Sequence, residues 1–288
     1  MGSKDAIAAA TPANHVVHGS SQDIAPECWV PFEWEEPSLG RCVVGEIAVI
    51  RPGGTSGNLM AGFFRGGRGI PGAAPDGSIR ALYSAPLGDE TAVVLEGTAT
   101  LTVQSSGKKY RIGPGSIVIS PKNVEVMWEF DAPYFKKFWC IFDGSQPTPN
   151  PPRDLLIANI NDNPDCWENY HYTEPKEGAQ VAGELLSIRD AGATGTMMTG
   201  IWRSGRGMVG TNVDPTGRLL APYTATLGDE TILLLEGEVH ITETLSGKKH
   251  RFRAGDVIGL SSGMHVTWDA KGPFCKKLFV ITRDQLPA

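Results

Sequence analysis

Short hydrophobic runs of four to eight residues recur along the chain and are separated by turns that contain glycine or proline. They are rich in β-branched and aromatic residues: TAVVLEG, ATLTVQ, SIVISP and FKKFWCIF, then TILLLEG, VHITET, DVIGLS and CKKLFVIT. Runs of this length and composition predict β-strands. An apolar period of about 3.6 residues, the mark of a helix, is not sustained in either set. Only RDLLIANINDNP, at 153–164, predicts a short helix.

The runs fall into two sets because the chain repeats itself. ECWVPFEWEEP aligns with DCWENYHYTEP, and GFFRGGRG with GIWRSGRG, at an offset of 138 residues. The segments LGDE, LEG, SGKK and KK recur at an offset of 140. A repeat over more than 100 residues indicates two copies of one domain. Short strands with 35 glycines and 21 prolines predict an all-β fold of two tandem barrels or sandwiches.

The domain boundaries follow from composition. DGSQPTPNPP, from Asp143 to Pro152, holds four prolines and no apolar period, which is typical of a linker. We therefore predict a flexible N-terminal arm at 1–26, a first domain at 27–142, a Pro-rich linker at 143–164 and a second domain at 165–288.

Composition and charge narrow the function to small-molecule chemistry or binding. The net charge is −6 and the basic residues are scattered, so neither a nucleic acid nor a membrane surface is an expected partner. No stretch approaches the roughly 20 apolar residues of a membrane span, and the N-terminus lacks the apolar core of a signal peptide. Five cysteines without a Cys-x-x-Cys pair favour a reducing, cytoplasmic location.

Two motifs in each half resemble those of the cupins. Glu90 with Gly97, and Glu230 with Gly237, match the end of the first cupin motif, a Glu and a Gly separated by six residues. AGDVIGLSSGMHVTW matches the second motif with His265 at its histidine, and PGSIVISPKNVEVMW matches it with Glu125 there instead. The order and spacing of these motifs are most similar to those of the cupin branch that includes ureidoglycine aminohydrolase and the ethanolamine-utilisation cupin. The resemblance implies two tandem jelly-roll barrels.

The resemblance also implies a metal held by three histidines and one glutamate, but the first motif here lacks its histidines. The windows read YSAPLGDE and YTATLGDE. Two ligands in a half are too few for a stable transition-metal site. We expect no cofactor; a divalent metal in the second barrel, on Glu230 and His265, is the alternative.

The cupin positions make Glu230 and His265 the candidate catalytic residues, since both are expected to face one cavity as an acid/base pair. The alternative is a structural hydrogen-bonded pair retained from a metal-binding ancestor. Asp89 and Asp229, beside the two glutamates, are interpreted as turn residues.

Other polar and aromatic residues of the second half form the candidate substrate-binding set: Tyr223, Arg203, Arg206, Trp202, Trp268, His240 and Lys276. Arginine forks bind carboxylates, although pairing with nearby glutamates is the alternative. One lysine of each KK pair must face the barrel or a packed face, where it neutralises the Glu or binds an anion; an edge lysine would instead deter aggregation.

The first half is expected to hold a degenerate site. Two carboxylates facing one cavity without a cation repel each other, so a salt-bridged structural role is favoured over a catalytic dyad. The corresponding residues are Tyr83, Glu90, Glu125, Arg65 and Arg68.

Three functions stay open from the sequence. The first is a metal-independent isomerase, cyclase or lyase that acts in the second barrel on an anionic or aromatic small molecule. The second is a metal-dependent hydrolase or dioxygenase similar to ureidoglycine aminohydrolase, and the third is a non-catalytic ligand-binding or structural bicupin. Exposed strand edges also make a homo-oligomer plausible.

Overall fold

The chain forms two β-barrels, each built from a seven-stranded and a four-stranded sheet. The computed structural model describes residues 15–146 and 148–284. This confirms the prediction of an all-β protein with two tandem jelly-roll domains. Within the described ranges there is no α-helix, only a 3₁₀ turn at Pro26–Cys28, and hence no helix long and apolar enough to cross a membrane.

The strands up to the middle of the chain are β1 Val17–Ser20, β2 Val30–Glu36, β3 Gly40–Arg51, β4 Asn58–Gly67, β5 Ile79–Tyr83, β6 Asp89–Glu96, β7 Ala99–Val103, β8 Lys109–Ile112, β9 Ser116–Ser120, β10 Val126–Phe130, β11 Tyr134–Asp143 and β12 Leu156–Asn159. The remaining strands are β13 Glu168–Glu174, β14 Gly178–Arg189, β15 Thr196–Gly205, β16 Leu219–Thr224, β17 Asp229–Glu236, β18 Glu238–Glu243, β19 Lys249–Arg253, β20 Asp256–Leu260, β21 His265–Ala270 and β22 Phe274–Arg283.

The sheets of the first barrel have the orders β12-β9-β6-β11-β4-β3-β2 and β5-β10-β7-β8. Those of the second have the orders β1-β20-β17-β22-β15-β14-β13 and β16-β21-β18-β19. The matching orders are what a duplication produces.

The large sheets of the two barrels pack against each other, and this explains the unbroken apolar runs. On β6, Ala92 and Val94 belong to the core inside the first barrel, whereas Val93 belongs to a cluster shared with Leu233 of the second barrel. A strand buried on both faces reads as continuous rather than alternating hydrophobicity. Both TAVVL and TILLL lie in strands of this kind.

Each barrel receives one strand from the segment that precedes the other. Val17–Ser20 pairs antiparallel with β20 of the second barrel, and Leu156–Asn159 pairs with β9 of the first. Two expectations were therefore wrong. The described part of the N-terminal arm is an ordered sheet strand, and the segment at 153–164 contains a strand rather than a helix. When the segment at 153–164 pairs with the open edge of a sheet, its backbone N–H and C=O groups gain hydrogen-bond partners. This gain outweighs the weak local preference for a helix.

Buried arginines join the barrels reciprocally. Arg51 of the first half donates to the Asp229 carboxylate (3.1 Å) and to the backbone oxygen of Glu230 (2.7 Å). Arg189, its counterpart, donates to the hydroxyl of Thr91 (3.3 Å) on the first barrel. Asp89 accepts from the amide of Ala193 across the same interface. Asp89 and Asp229 are therefore contacts between the barrels, not merely turn residues.

The exchanged strand β1 is anchored by a carboxylate that titrates in acid. Glu243 accepts hydrogen bonds from the Val16 amide (2.9 Å), the Ser246 hydroxyl (2.5 Å) and His250 Nε2 (2.8 Å). Burial raises the pKa of Glu243, but these hydrogen bonds outweigh it and set the pKa at about 2, below its ordinary 4.5.

A carboxyl pKa depressed on folding contributes stability above the unfolded pKa, and that stability is lost as the pH falls through the folded value. We expect the free energy of unfolding to fall between about pH 5 and pH 3. Glu243→Gln should lower stability at the higher pH, and its difference from the wild type should narrow at the lower pH. Urea unfolding at both pH values measures this, and a constant difference contradicts it.

Candidate functional site

A buried ion pair lies inside the first barrel. Glu90 is on β6 and Lys137 on the neighbouring β11, and Lys137 Nζ donates to Glu90 Oε1. Lys137, Trp139 and Ile141 all line the cavity of this barrel, because alternate residues of a strand share a face. The intervening Lys136 faces the other way and donates to the backbone oxygen of Ser21.

The second barrel contains the same pair with one more hydrogen bond. Lys277 Nζ donates to Glu230 Oε1 (2.9 Å), and the hydroxyl of Tyr223 donates to Glu230 Oε2 (2.6 Å). Both oxygens of Glu230 are thus engaged by buried donors. Lys276, the predicted binding residue, lies opposite Glu236 in the β17–β22 register, on the other face of its strand.

Aromatic rings complete the environment of both lysines. Lys137 Nζ lies 4.5 Å from the ring centroid of Trp128, and Lys277 Nζ lies 4.3 Å from that of Trp268. A carboxylate and a π face both attract a cation, so each lysine lies between two favourable partners.

A cavity of about 350 Å³ occupies the first barrel, beside Glu90 and Lys137. Val30 and Val49 line it and are 49% and 42% exposed, so the cavity opens to solvent on their side. Its wall is mostly apolar and includes seven aromatic residues: Phe32, Trp34, Phe64, Tyr83, Trp128, Phe130 and Trp139. An apolar cavity with a few polar groups is the usual form of a small-molecule site.

Several polar atoms of this wall make no well-formed hydrogen bond to another described residue. They are the Tyr83 hydroxyl and the indole nitrogens of Trp128 and Trp139, on side chains that are 7%, 2% and 4% exposed. Burial, then the charge of the nearby Glu90 carboxylate and a weak hydrogen bond toward it, raise the pKa of Tyr83 well above its ordinary value, so the hydroxyl stays protonated. The wall therefore carries unused hydrogen-bond donors.

Tyrosines fill the corresponding region of the second barrel. Tyr170 and Tyr172 replace Phe32 and Trp34 of the repeat, and their rings stack at 5.1 Å. The Tyr172 hydroxyl donates to the backbone oxygen of Pro222 at 2.6 Å. Trp202 packs edge-on against Trp268 and donates to the backbone oxygen of Ala182 at 2.6 Å. The hydroxyls of Tyr172 and Tyr223 are hydrogen-bonded here, although the Trp268 indole nitrogen, like that of Trp128, has no partner among the described residues. Because the Tyr223 hydroxyl is already taken, the geometry favours the first barrel as the working half.

Glu230 and His265 do not form the expected pair. The carboxylate of Glu230 is taken by Lys277 and Tyr223, while His265 shares a cluster with Glu174 and Glu177 in which the ligand atoms lie within 4.8 Å of one another. The buried residues of β21 are the even-numbered ones, such as Trp268, so the strand alternation directs His265 away from them.

The prediction that Glu90 and Glu125 face one cavity in the first half is also wrong. Glu125 is not among the residues that line the cavity, because Val126, Trp128 and Phe130 carry the inward face of β10. The repulsion expected between Glu90 and Glu125 therefore has no basis. The cation that balances the charge of Glu90 is Lys137. The repeated KK pair predicts such a lysine, because successive residues of a strand face opposite sides.

The candidate arginines lie outside the cavities. Arg65 Nε donates to Glu46 (2.7 Å) with its guanidinium over Trp29, and Arg203 Nε donates to Glu184 (2.7 Å) over Trp167. Arg68 and Arg206 are exposed where β4 and β15 end. His240 is hydrogen-bonded to Glu238 at 2.7 Å on a partly exposed face. None of these contacts reaches Glu90 or Glu230.

Comparisons with known proteins agree with the duplicated barrel. The family model of the EutQ-like cupin domain matches residues 81–139 and 222–279, one region in each half. Among curated proteins, none matches this chain in sequence.

Solved structures with the same fold cover nearly the whole chain. A protein of unknown function from Pseudomonas syringae pv. tomato is 14% identical, with a TM-score of 0.60 over 93% of this chain and 99% of that one. Protein Ylba from E. coli is 12% identical, with a TM-score of 0.53 over 99% and 98%. An oxalate decarboxylase variant from Bacillus subtilis is 15% identical, with a TM-score of 0.50 over 94% and 78%. At these identities the similarity concerns the fold.

Proposed function

The chain is a two-domain cupin with a EutQ-like cupin domain in each half, and from that premise we propose that it is a metal-independent enzyme of the isomerase, cyclase or lyase type. The reaction takes place in the first barrel, on a small molecule. One observation carries the proposal: an open, partly aromatic cavity has the buried Glu90–Lys137 pair and the Tyr83 hydroxyl in its wall.

The residues around Glu90 do not fit the metal that the cupin fold implies. An ammonium group is bonded to one oxygen of the carboxylate, and the Tyr83 phenol beside it stays protonated. Transition metals in such sites require imidazole nitrogens or thiolates. In the first half the two cupin ligand positions hold only the carboxylates of Glu90 and Glu125. The chemistry must then come from the ion pair itself.

Glu90 and Lys137 supply complementary roles in a proton transfer. The Glu90 carboxylate removes a proton from a substrate carbon, and the electrons of the broken C–H bond move toward an electronegative atom of the substrate. The Lys137 ammonium and the Tyr83 hydroxyl stabilise the negative charge that develops there. Return of the proton to another carbon gives an isomerase, and loss of a leaving group gives a lyase.

The apolar wall strengthens these interactions because it lowers the dielectric constant around the ion pair. A positioned general base contributes about 10²–10⁴-fold to a rate, and oriented donors act more strongly in a low-dielectric site than in water. In the second barrel the equivalent carboxylate, that of Glu230, accepts from both Tyr223 and Lys277, so both of its oxygens are already bonded. We assign that pair a structural role.

Deuterium exchange tests the proposal without knowledge of the substrate. The protein is incubated in D₂O with acetophenone, phenylpyruvate or 2-phenylpropionaldehyde, and loss of the C–H signal is followed by proton NMR. We expect exchange of at least one probe at about ten times the rate without protein or more. The rate should persist after treatment with a chelator. Exchange that requires an added metal, or that is absent for all three probes, contradicts the proposal.

A further inference from the structure

We infer that the first barrel takes a neutral aromatic carbonyl compound, whose oxygen accepts hydrogen bonds from Tyr83 and Lys137 while its apolar body packs on the aromatic wall. The inference rests on the proposed function, since it names the substrate class of that site. The sequence suggests an anionic or an aromatic substrate, and the inference keeps the aromatic alternative and rejects the anionic one.

Charge balance in the cavity argues against an ionic ligand. The charged residues in its wall are Glu33, Glu90 and Lys137. Glu90 is neutralised by Lys137, and Glu33 by the exposed Arg41 at 2.8 Å. The arginines that would clamp a carboxylate, Arg65 among them, are paired outside the cavity. A carboxylate or an amine entering here would bring an uncompensated charge into an apolar site, which is costly.

The unused donors of the wall call for an acceptor. The Tyr83 hydroxyl and the Trp128 and Trp139 indole nitrogens are buried without a partner among the described residues, and Lys137 has further N–H groups besides the one bonded to Glu90. A carbonyl oxygen has two lone pairs and can accept from two of these groups. A buried polar group left without a partner is destabilised, so such a ligand is favoured over a hydrocarbon.

The size and lining of the cavity select the rest of the ligand. A volume of about 350 Å³ lies at the lower end of the range of about 300–1,000 Å³ for ligand pockets. Rings such as Phe32, Trp34 and Phe64 surround it and prefer offset or edge-on contacts with another ring. A single aromatic ring that bears an acyl group meets both requirements.

Three probes of one shape and different charge test the inference: acetophenone, benzoate and 1-phenylethylamine. Their binding to the full-length protein is measured by isothermal titration calorimetry. We expect the dissociation constant of acetophenone to be lower than that of either ion by about tenfold or more. Equal or tighter binding of benzoate overturns the inference, and so does failure of acetophenone to bind.

Tyr83→Phe and Tyr223→Phe form a matched pair of variants for the site. Tyr83→Phe should weaken acetophenone binding by about five- to fiftyfold, because it removes a donor to the carbonyl. It should keep the wild-type fold, since that hydroxyl has no partner in the described structure. Tyr223→Phe should leave binding unchanged. An equal effect of both variants, or no effect of Tyr83→Phe, overturns the assignment of the site.

The two proposals fail separately. Exchange of phenylpyruvate without binding of acetophenone leaves the enzyme function in place and overturns the substrate class. Tight, Tyr83-dependent binding of acetophenone without exchange of any probe supports the ligand class and overturns catalysis.

Discussion

Arg51→Met is expected to lower the free energy of unfolding by about 3–5 kcal/mol. Arg51 is 1% exposed and spans the contact between the barrels, where it donates to Asp229, the Thr231 hydroxyl (2.9 Å) and the backbone oxygens of Glu230 and Leu260. Methionine fills a similar volume but leaves the buried carboxylate of Asp229 without its cation. The loss of one partner from a buried pair is costly because the remaining charge stays desolvated.

Chemical denaturation of the full-length protein measures this effect. Arg189→Met should also destabilise the protein, because Arg189 donates to the Met197 backbone oxygen (3.0 Å) and to Thr91 from the same buried setting. Arg68→Met is the matched control at an exposed arginine and should change stability by about 0.5 kcal/mol or less. If Arg51→Met behaves like this control, the arginine does not hold the barrels together.

The duplicated barrel could be predicted because its determinants are local or repeated in the sequence. Strand length, β-branched composition and glycine-containing turns predict the sheets, and the offset of 138–140 residues predicts two copies. The strand exchange could not be predicted. Val17 pairs with Gly259, far along the chain, and no local pattern encodes such a partner.

The candidate site was located through motif positions, and these fix residue types better than contacts. Glu90, Glu230, Tyr83 and Tyr223 lie where the motifs imply, inside the barrels. His265 does not, because the even-numbered residues carry the buried face of β21. A shift of one position along a strand reverses the direction of a side chain. A motif match that is correct to within one residue therefore does not determine which of two adjacent residues points into the barrel.

The lysine pairs show the same limit of motif spacing, since the sequence does not determine which lysine of each pair points into the barrel. The KK pairs predict one inward lysine each, but the predicted binding residue is Lys276, whereas the structure directs Lys277 to Glu230. The sequence alone could not predict which barrel contains an open cavity. It depends on how Phe32, Trp34 and Trp139 pack in the first barrel and their tyrosine and phenylalanine counterparts in the second, and packing is a property of the whole side-chain set.

Glu90→Gln is expected to reduce the rate of proton exchange by about 10²–10⁴-fold. The amide keeps nearly the same shape but cannot accept a proton from carbon at neutral pH. It also removes the counter-charge of Lys137, so the fold must be checked by near-UV circular dichroism before rates are compared. The binding of acetophenone should be retained within about tenfold, because Tyr83 and the aromatic wall remain in place.

The most direct test of the account compares Glu90→Gln with Glu230→Gln in the D₂O exchange assay, on protein treated with a chelator. The two glutamates occupy equivalent positions and both pair with a lysine, but only Glu90 lines the open cavity described here. We expect Glu90→Gln to lose exchange and folded Glu230→Gln to retain it. Loss of exchange in Glu230→Gln with full activity in Glu90→Gln would contradict it and place the chemistry in the second barrel.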